Sequence, residues 1–126
     1  MYAYAYMKRT TADKRKFPRV NYKCLIKVAG SDGDEEFNTF TQNIGAGGVC
    51  VLLKKNIELF KAATMSISLP DNKELVTCKG TVVWVIKRHV AGGDDTYEYD
   101  TGIEFTNISE PDRNRIATLV SDILSA

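Results

Sequence analysis

Apolar and polar residues alternate along most of the chain from residue 20 onward. A period of two is typical of β-strands that bury one face and expose the other. Turn-forming residues, such as those at 30–34 and 70–72, separate the alternating segments. The pattern predicts six strands, at residues 20–28, 37–42, 49–53, 65–69, 74–86 and 97–105.

The fifth predicted strand is the longest and carries a glycine in its middle. Gly80 predicts a bend or bulge, of the kind that a sheet needs in order to curl into a barrel. Residues 87–95, which include His89, are predicted to form the following loop. We expect one face of this strand to carry Val76, Cys78, Val82, Trp84 and Ile86.

The last segment of the chain changes to the helical period. Ser109 can cap the helix, Pro111 suits its first turn, and Asp112 stands at the spacing of a capping box. An apolar stripe follows, which we expect to pack on the barrel, with a groove for a partner helix as the alternative. The stripe consists of Ile116, Leu119, Val120, Ile123 and Leu124.

These elements predict the fold class and the domain organisation. Six strands and a terminal helix, without repeated βα units, indicate an all-β fold: a six-stranded antiparallel β-barrel with a C-terminal α-helix. The 126 residues, 44% of them apolar, suit one globular domain. We expect that domain to span residues 14–126, behind a flexible N-terminal arm at residues 1–13.

Composition argues against several classes of protein. No apolar run is long enough to cross a membrane, and the first residues make a poor signal peptide, so we expect a cytoplasmic protein without membrane insertion. The three widely spaced cysteines suit buried, reduced thiols. Neither a metal site nor a nucleophile–base pair stands out around the single histidine, so we expect no metal, no cofactor and no enzymatic activity.

Basic residues are concentrated just before the first strand. Residues 8–19 hold six basic residues and one acid, whereas the whole chain has a net charge of +1. Pro18 favours an extended backbone before Arg19, which suits a segment that wraps around an anion. A solvated basic arm without a ligand, or a barrel that binds single-stranded nucleic acid, are the alternatives.

A glycine-rich segment, residues 43–48, follows the second strand and predicts a turn. It lacks the Gly-Lys-Ser/Thr of a phosphate-binding loop, and a strand rather than a helix comes next. Together, Arg15-x-x-x-Arg19 and Asn43-x-Gly45-x-x-Gly48 resemble the motifs of the PilZ domain family, bacterial receptors for cyclic di-GMP. Gly45 stands where that family usually has serine. The remaining similarity lies in a Val-x-Trp strand at residues 82–84, a Gly-Ile-x-Phe strand at 102–105 and the closing helix.

The resemblance implies a cyclic di-GMP receptor in which Arg15, Arg19, Asn43, Gly45 and Gly48 line the ligand site. It also implies second-messenger signalling through an unidentified downstream protein, with no DNA binding. Because both arginines are present, we expect binding to survive the loss of the serine hydroxyl. We further expect Gly45→Ser to tighten binding by up to about tenfold. A positive φ at Gly45, with which the substitution would weaken both binding and stability, is the alternative. A degenerate PilZ-like adaptor that binds proteins without nucleotide is the alternative.

Overall fold

The structure, a computed structural model, describes residues 17–30, 35–91 and 96–126. The predicted arm at residues 1–13 and Arg15 lie outside these residues. The elements in the described part are β1 (Arg19–Val20), β2 (Leu25–Gly30), β3 (Glu36–Gly45), β4 (Gly48–Leu53), β5 (Ala62–Ser68), β6 (Val76–His89), β7 (Tyr97–Asn107) and α1 (Glu110–Ser125).

Six of the strands form a closed antiparallel barrel. They follow the order β3-β2-β5-β6-β7-β4, and β4 pairs back with β3, so that no strand is left with an open edge. The short strand β1 pairs with the C-terminal end of β3. The predicted all-β class, the six-stranded antiparallel barrel and the C-terminal helix are confirmed.

The first predicted strand, residues 20–28, is interrupted in the structure. Val20 belongs to β1 and Leu25 opens β2, and both strands pair with β3. Between these pairings, residues 21–24 stand opposite residues 41–43, so one extra residue leaves the ladder. The alternation of buried and exposed side chains continues through the interruption, which is why the sequence suggested one continuous strand.

A threonine side chain takes over the hydrogen bonding at this interruption. Thr41 is fully buried, and its hydroxyl donates to the carbonyl oxygen of Tyr22 at 2.6 Å. The hydroxyl oxygen of Thr41 in turn accepts the backbone N–H of Cys24 at 2.8 Å. The bulged segment therefore keeps its buried backbone groups paired and connects β1 rigidly to β2.

The pairing of β6 with β7 contains two irregularities, and the second exchanges the buried and exposed faces of β6. The first lies beside Gly80, where a bend or bulge is predicted, but its extra residue, Thr106, belongs to β7; the other lies between Val82 and Trp84, where the extra residue belongs to β6. Beyond the second, Val85 packs against the core, while Trp84 and Ile86 face outward, with Ile86 55% exposed. The prediction that Trp84 and Ile86 share the face of the buried residues is therefore wrong, because the extra residue shifts the period by one.

The predicted loop at residues 87–95 begins later than expected. Strand β6 continues to His89, which pairs with Tyr97 of β7. The two rings make an edge contact with centroids 5.3 Å apart. Residues 87–89 are polar and show no strand pattern of their own, and their pairing with β7 extends β6 through them.

The barrel core and helix α1 follow the predicted pattern in most respects. Ser109 caps the helix by accepting the backbone N–H of Asp112 at 3.3 Å, and Ile116 and Val120 are buried. Leu124 differs from the prediction because it is 62% exposed. None of the helices among the described residues is long and apolar enough to cross a membrane.

The three cysteines are free and buried, as predicted. Burial raises the pKa of the Cys24 thiol and raises that of Cys78 to about 12. Both thiols therefore stay protonated and act as small apolar groups.

Candidate functional site

The pairing of β1 with β3 brings the two sequence motifs together on the outside of the barrel. Arg19 is the direct partner of Gly45 across the two strands. Its Nη1 donates to Oδ1 of Asn43 at 3.4 Å, in a partly buried contact between residues 24 apart in the chain. Arg19, Asn43 and Gly45 therefore form one continuous surface, while Arg15 lies outside the described residues.

An aromatic ring completes this surface. The guanidinium carbon of Arg19 lies 5.3 Å from the centroid of the Trp84 ring. Trp84 in turn covers Gly102 of β7, since a Cβ at that glycine would overlap the indole. A guanidinium over an indole gains about 0.5–1 kcal/mol at an exposed site, so the arginine is held in place before any ligand arrives.

Gly45 is required by crowding in strand β3. A Cβ built at this position would overlap the carbonyl oxygen of Pro18 and would lie 3.0 Å from Cγ of Arg19. The main chain of the basic segment therefore occupies the space that a serine side chain would need. This arrangement opposes the expectation that Gly45→Ser simply restores a missing hydrogen bond.

Gly48 has a role within the barrel. Its missing Cβ leaves room for the carbonyl oxygen of Ile103 on the neighbouring strand β7. The turn itself consists of Ala46 and Gly47, between the ends of β3 and β4. The absence of a side chain at Gly48 thus permits the close approach of β4 and β7.

A buried thiol and a carboxylate lie beside the arginine. Cys50 of β4 donates its Sγ–H to Oδ1 of Asp100 at 2.8 Å, and Nη1 of Arg88 lies 3.8 Å from Oδ2 of the same carboxylate. Burial raises the pKa of the Cys50 thiol, Asp100 raises it further, and the charges of Arg19 and Arg88 oppose that rise. Cys50 therefore remains a neutral donor to Asp100.

Sequence reasoning did not find Trp84, Cys50, Asp100 and Arg88 as members of this surface. Trp84 was assigned to the core because the bulge before it leaves no signal in the apolar pattern. The alternation along β7 could have placed Asp100 on the outward face of the barrel, because Thr101 and Ile103 belong to the buried face.

The arrangement suits the binding of a planar, anionic ligand. Arg19 offers a charged planar fork for phosphate or a base edge, and Trp84 offers a ring for stacking. The neighbouring carboxylate and amide can accept and donate hydrogen bonds to a polar heterocycle. Within the described residues, no group of three or more His, Cys, Asp or Glu could hold a metal ion.

Comparison with solved structures finds the same fold in bacterial proteins of low sequence identity. The MotI/DgrA inhibitor of motility from Bacillus subtilis matches with a TM-score of 0.73 and 17% identity, over 90% of this chain and 53% of that one. The PilZ domain of YcgR from Escherichia coli, solved with c-di-GMP, matches with a TM-score of 0.66 and 11% identity, over 87% of this chain and 91% of that one.

MrkH from K. pneumoniae, solved as a c-di-GMP complex, matches with a TM-score of 0.67 and 15% identity, over 90% of this chain and 53% of MrkH. The chain thus spans about half the length of MotI and MrkH. A comparison with curated proteins found no match. The family profile described as PilZ domain matches residues 13–122, which is most of the chain. The sequence resemblance is confirmed, and the chain belongs to the PilZ domain family.

Proposed function

We propose that this chain is a cyclic di-GMP receptor domain that binds the dinucleotide on the outward surface around Arg19. The contact of Arg19 with both Asn43 and Trp84 carries the proposal, because it joins the two family motifs at one place. Membership of the PilZ family supports it, as do the c-di-GMP complexes of YcgR and MrkH. The proposed ligand residues are Arg15, Arg19, Asn43, Gly45 and Gly48.

The chemistry of the ligand matches that of the surface. Guanine presents O6 and N7 as adjacent acceptors, which an arginine fork meets in its own plane, and phosphate accepts the same fork with charge assistance. Arg15 and Arg19 can divide these two tasks, while the amide of Asn43 can meet a further base edge. The indole of Trp84 supplies a stacking surface for a purine.

We propose that the domain acts on a downstream protein and catalyses no reaction itself. The cytoplasm is the proposed location, because cyclic di-GMP is an intracellular second messenger in the proteins that this chain resembles. An N-terminal arm at residues 1–13 and a binding domain at residues 14–126 remain the proposed division of the chain. Neither DNA binding nor membrane insertion is part of the proposal.

A protein-binding adaptor without nucleotide is the second candidate, and Gly45 is the observation that favours it. The family's serine hydroxyl is absent, and the main chain at Pro18 fills the space where the side chain would lie. An adaptor of this kind would keep the barrel and lose the affinity for cyclic di-GMP. Calorimetric titration with cyclic di-GMP distinguishes the two candidates.

Calorimetric titration of the full chain with cyclic di-GMP tests the proposal, beside the variant Arg19→Ala. Hydrogen bonds to charged groups contribute about 1.5–3 kcal/mol each, so this variant should bind roughly ten- to 150-fold more weakly. The exposed Lys79, on the far part of β6, provides the control Lys79→Ala, which should bind as the parent does. The free proteins should melt at similar temperatures.

Two results would count against the receptor. Absence of cyclic di-GMP binding by the folded parent chain would favour the adaptor. Equal binding of a single-stranded oligonucleotide would indicate a general nucleic-acid surface instead.

A further inference from the structure

The proposed ligand surface contains a carboxylate, which is unexpected beside an anionic ligand. Asp100 lies on the outward face of β7, two residues before the glycine that Trp84 covers. Its side chain is 25% exposed, and its Oδ1 accepts the thiol hydrogen of Cys50 at 2.8 Å. The carboxylate is therefore oriented by the barrel and still open to solvent on one side.

The strand register shows that this carboxylate adjoins the Arg19–Trp84 contact. Cys50 of β4 is the direct partner of Asn43 on one side and of Gly102 on the other. Asn43 contacts Arg19, and Gly102 lies under Trp84. Cys50 thus lies between the two residues that adjoin the Arg19–Trp84 contact, and its thiol donates a hydrogen bond to Asp100.

Charge alone would make Asp100 unfavourable for a ligand with phosphates, because like charges repel. Arg88, with Nη1 3.8 Å from the carboxylate, offsets that repulsion, and the charge of Arg19 acts on the neighbouring Cys50. A carboxylate contributes to affinity only where the ligand offers hydrogen-bond donors, since it can only accept when ionised. The part of the ligand that faces Asp100 must therefore be a donor edge.

Guanine has such an edge on its Watson–Crick side, next to the edge that presents O6 and N7. Its N1–H and its N2 amino group point in parallel, at the spacing that the two oxygens of a carboxylate can accept. Adenine offers an unprotonated N1 and no N2 amino group there, so a carboxylate repels adenine and binds guanine. A surface that holds both an arginine fork and a carboxylate can thus grip a guanine by both of its edges.

We propose that Asp100 is a specificity-determining residue that accepts the N1–H and N2 amino hydrogens of one guanine of cyclic di-GMP. Cys50 is its positioning residue, since the thiol occupies Oδ1 from below and fixes the direction of the carboxylate. The assignment rests on the proposed function. It extends the site beyond the two motifs, onto β7.

An analogue of the ligand tests the contact directly. Cyclic di-IMP carries hypoxanthine in place of guanine and so lacks only the N2 amino groups. Both dinucleotides are titrated into the full-length parent chain and into Asp100→Asn, which keeps the shape of the side chain and removes its charge. Asp122→Asn, on the exposed surface of α1, is the matched control, because it makes the same substitution away from the site.

The parent should prefer cyclic di-GMP over cyclic di-IMP by about tenfold or more, the usual effect of one charge-assisted hydrogen bond. Asp100→Asn should bind cyclic di-GMP at least about tenfold more weakly, with its preference over cyclic di-IMP reduced to about twofold. The control should retain both the affinity and the preference of the parent. The comparison of ligands on the parent needs no variant, so it stands even if Asp100→Asn is less stable.

Three results would overturn the inference. Equal affinity of the parent for the two dinucleotides would exclude a contact to the N2 amino group. Unchanged or tighter binding of cyclic di-GMP by Asp100→Asn would show that the carboxylate only repels the phosphates, and the receptor proposal would stand. Failure of the parent to bind either dinucleotide would remove the proposed function together with the inference.

Discussion

The absence of a side chain at Gly45 lets the basic segment before β2 pack directly against strand β3. The carbonyl oxygen of Pro18 and Cγ of Arg19 occupy the space where a Cβ would lie. We predict that Gly45→Ser lowers the free energy of unfolding by about 1–3 kcal/mol, because the extra atoms overpack the contact between β1 and β3. The same substitution should weaken cyclic di-GMP binding, since it displaces Arg19 from Asn43.

Urea denaturation and calorimetric titration of this variant check both parts of the prediction. Gly45→Ala is the matched control, because it adds the Cβ without the hydroxyl. If crowding decides the effect, the two variants should lose similar stability. Tighter binding by Gly45→Ser alone would instead mean that the basic segment moves aside and that the hydroxyl is used by the ligand.

At the scale of the elements, the junction between β1 and β2 positions the arginine. Thr41 bridges the bulged segment through one hydrogen bond given to Tyr22 and one accepted from Cys24. Because the hydroxyl is fully buried, no water can replace these bonds when it is removed. The orientation of Arg19 relative to the barrel therefore depends on Thr41, which lies on the neighbouring strand β3.

We predict that Thr41→Val, which preserves the side-chain shape, lowers the free energy of unfolding by about 1–3 kcal/mol, because two buried backbone groups lose their partner. The comparison is Thr39→Val on the same strand, where the hydroxyl donates over a longer 3.4 Å and the residue is half-buried. That variant should lose less than about 1 kcal/mol. Equal losses in urea denaturation would contradict the proposed role of the junction.

The same elements show what could be predicted from sequence. Alternation identified the buried face of β2, and that of β6 as far as Val82, because burial acts on each side chain separately. It did not detect the bulges after Val20 and after Val82, since an extra residue leaves no mark until the partner strand is known. The face of Trp84 is predicted wrongly for that reason, whereas the glycine at position 80 correctly indicates an irregularity in the pairing of β6 with β7.

At the scale of the whole molecule, closure of the barrel brings together the residues of the proposed ligand surface. Arg19, Asn43 and Trp84 lie on three strands. The pairings of β1 with β3, of β3 with β4, of β4 with β7 and of β7 with β6 bring them together. The family motifs predicted two of these residues. The third, and the neighbouring Asp100, depend on register and therefore required the structure.

An ion pair between Arg115 and Asp71 connects helix α1 to the turn between β5 and β6. Arg115 donates from Nε to Oδ2 of Asp71 at 2.9 Å and from Nη2 to Oδ1 at 3.0 Å, and it also reaches the carbonyl oxygen of Glu74 at 2.7 Å. The hydrogen bonds from Arg115 lower the pKa of Asp71 from 3.8 to about 2. A bidentate pair of this kind fixes the helix in orientation as well as in position.

This pair makes a definite prediction about pH. Because the folded-state pKa of Asp71 lies below its ordinary value of 3.8, the stabilisation is fully present above about pH 4 and is lost as the pH falls towards 2. Asp71→Asn should therefore lower the melting temperature at pH 7 and differ progressively less from the parent as the pH approaches 2. Thermal melts between pH 2 and pH 7 check this. The control is Asp122→Asn, on the exposed side of helix α1. A difference between parent and Asp71→Asn that stays constant with pH would mean that the charge on Asp71 does not stabilise the attachment of the helix to the barrel.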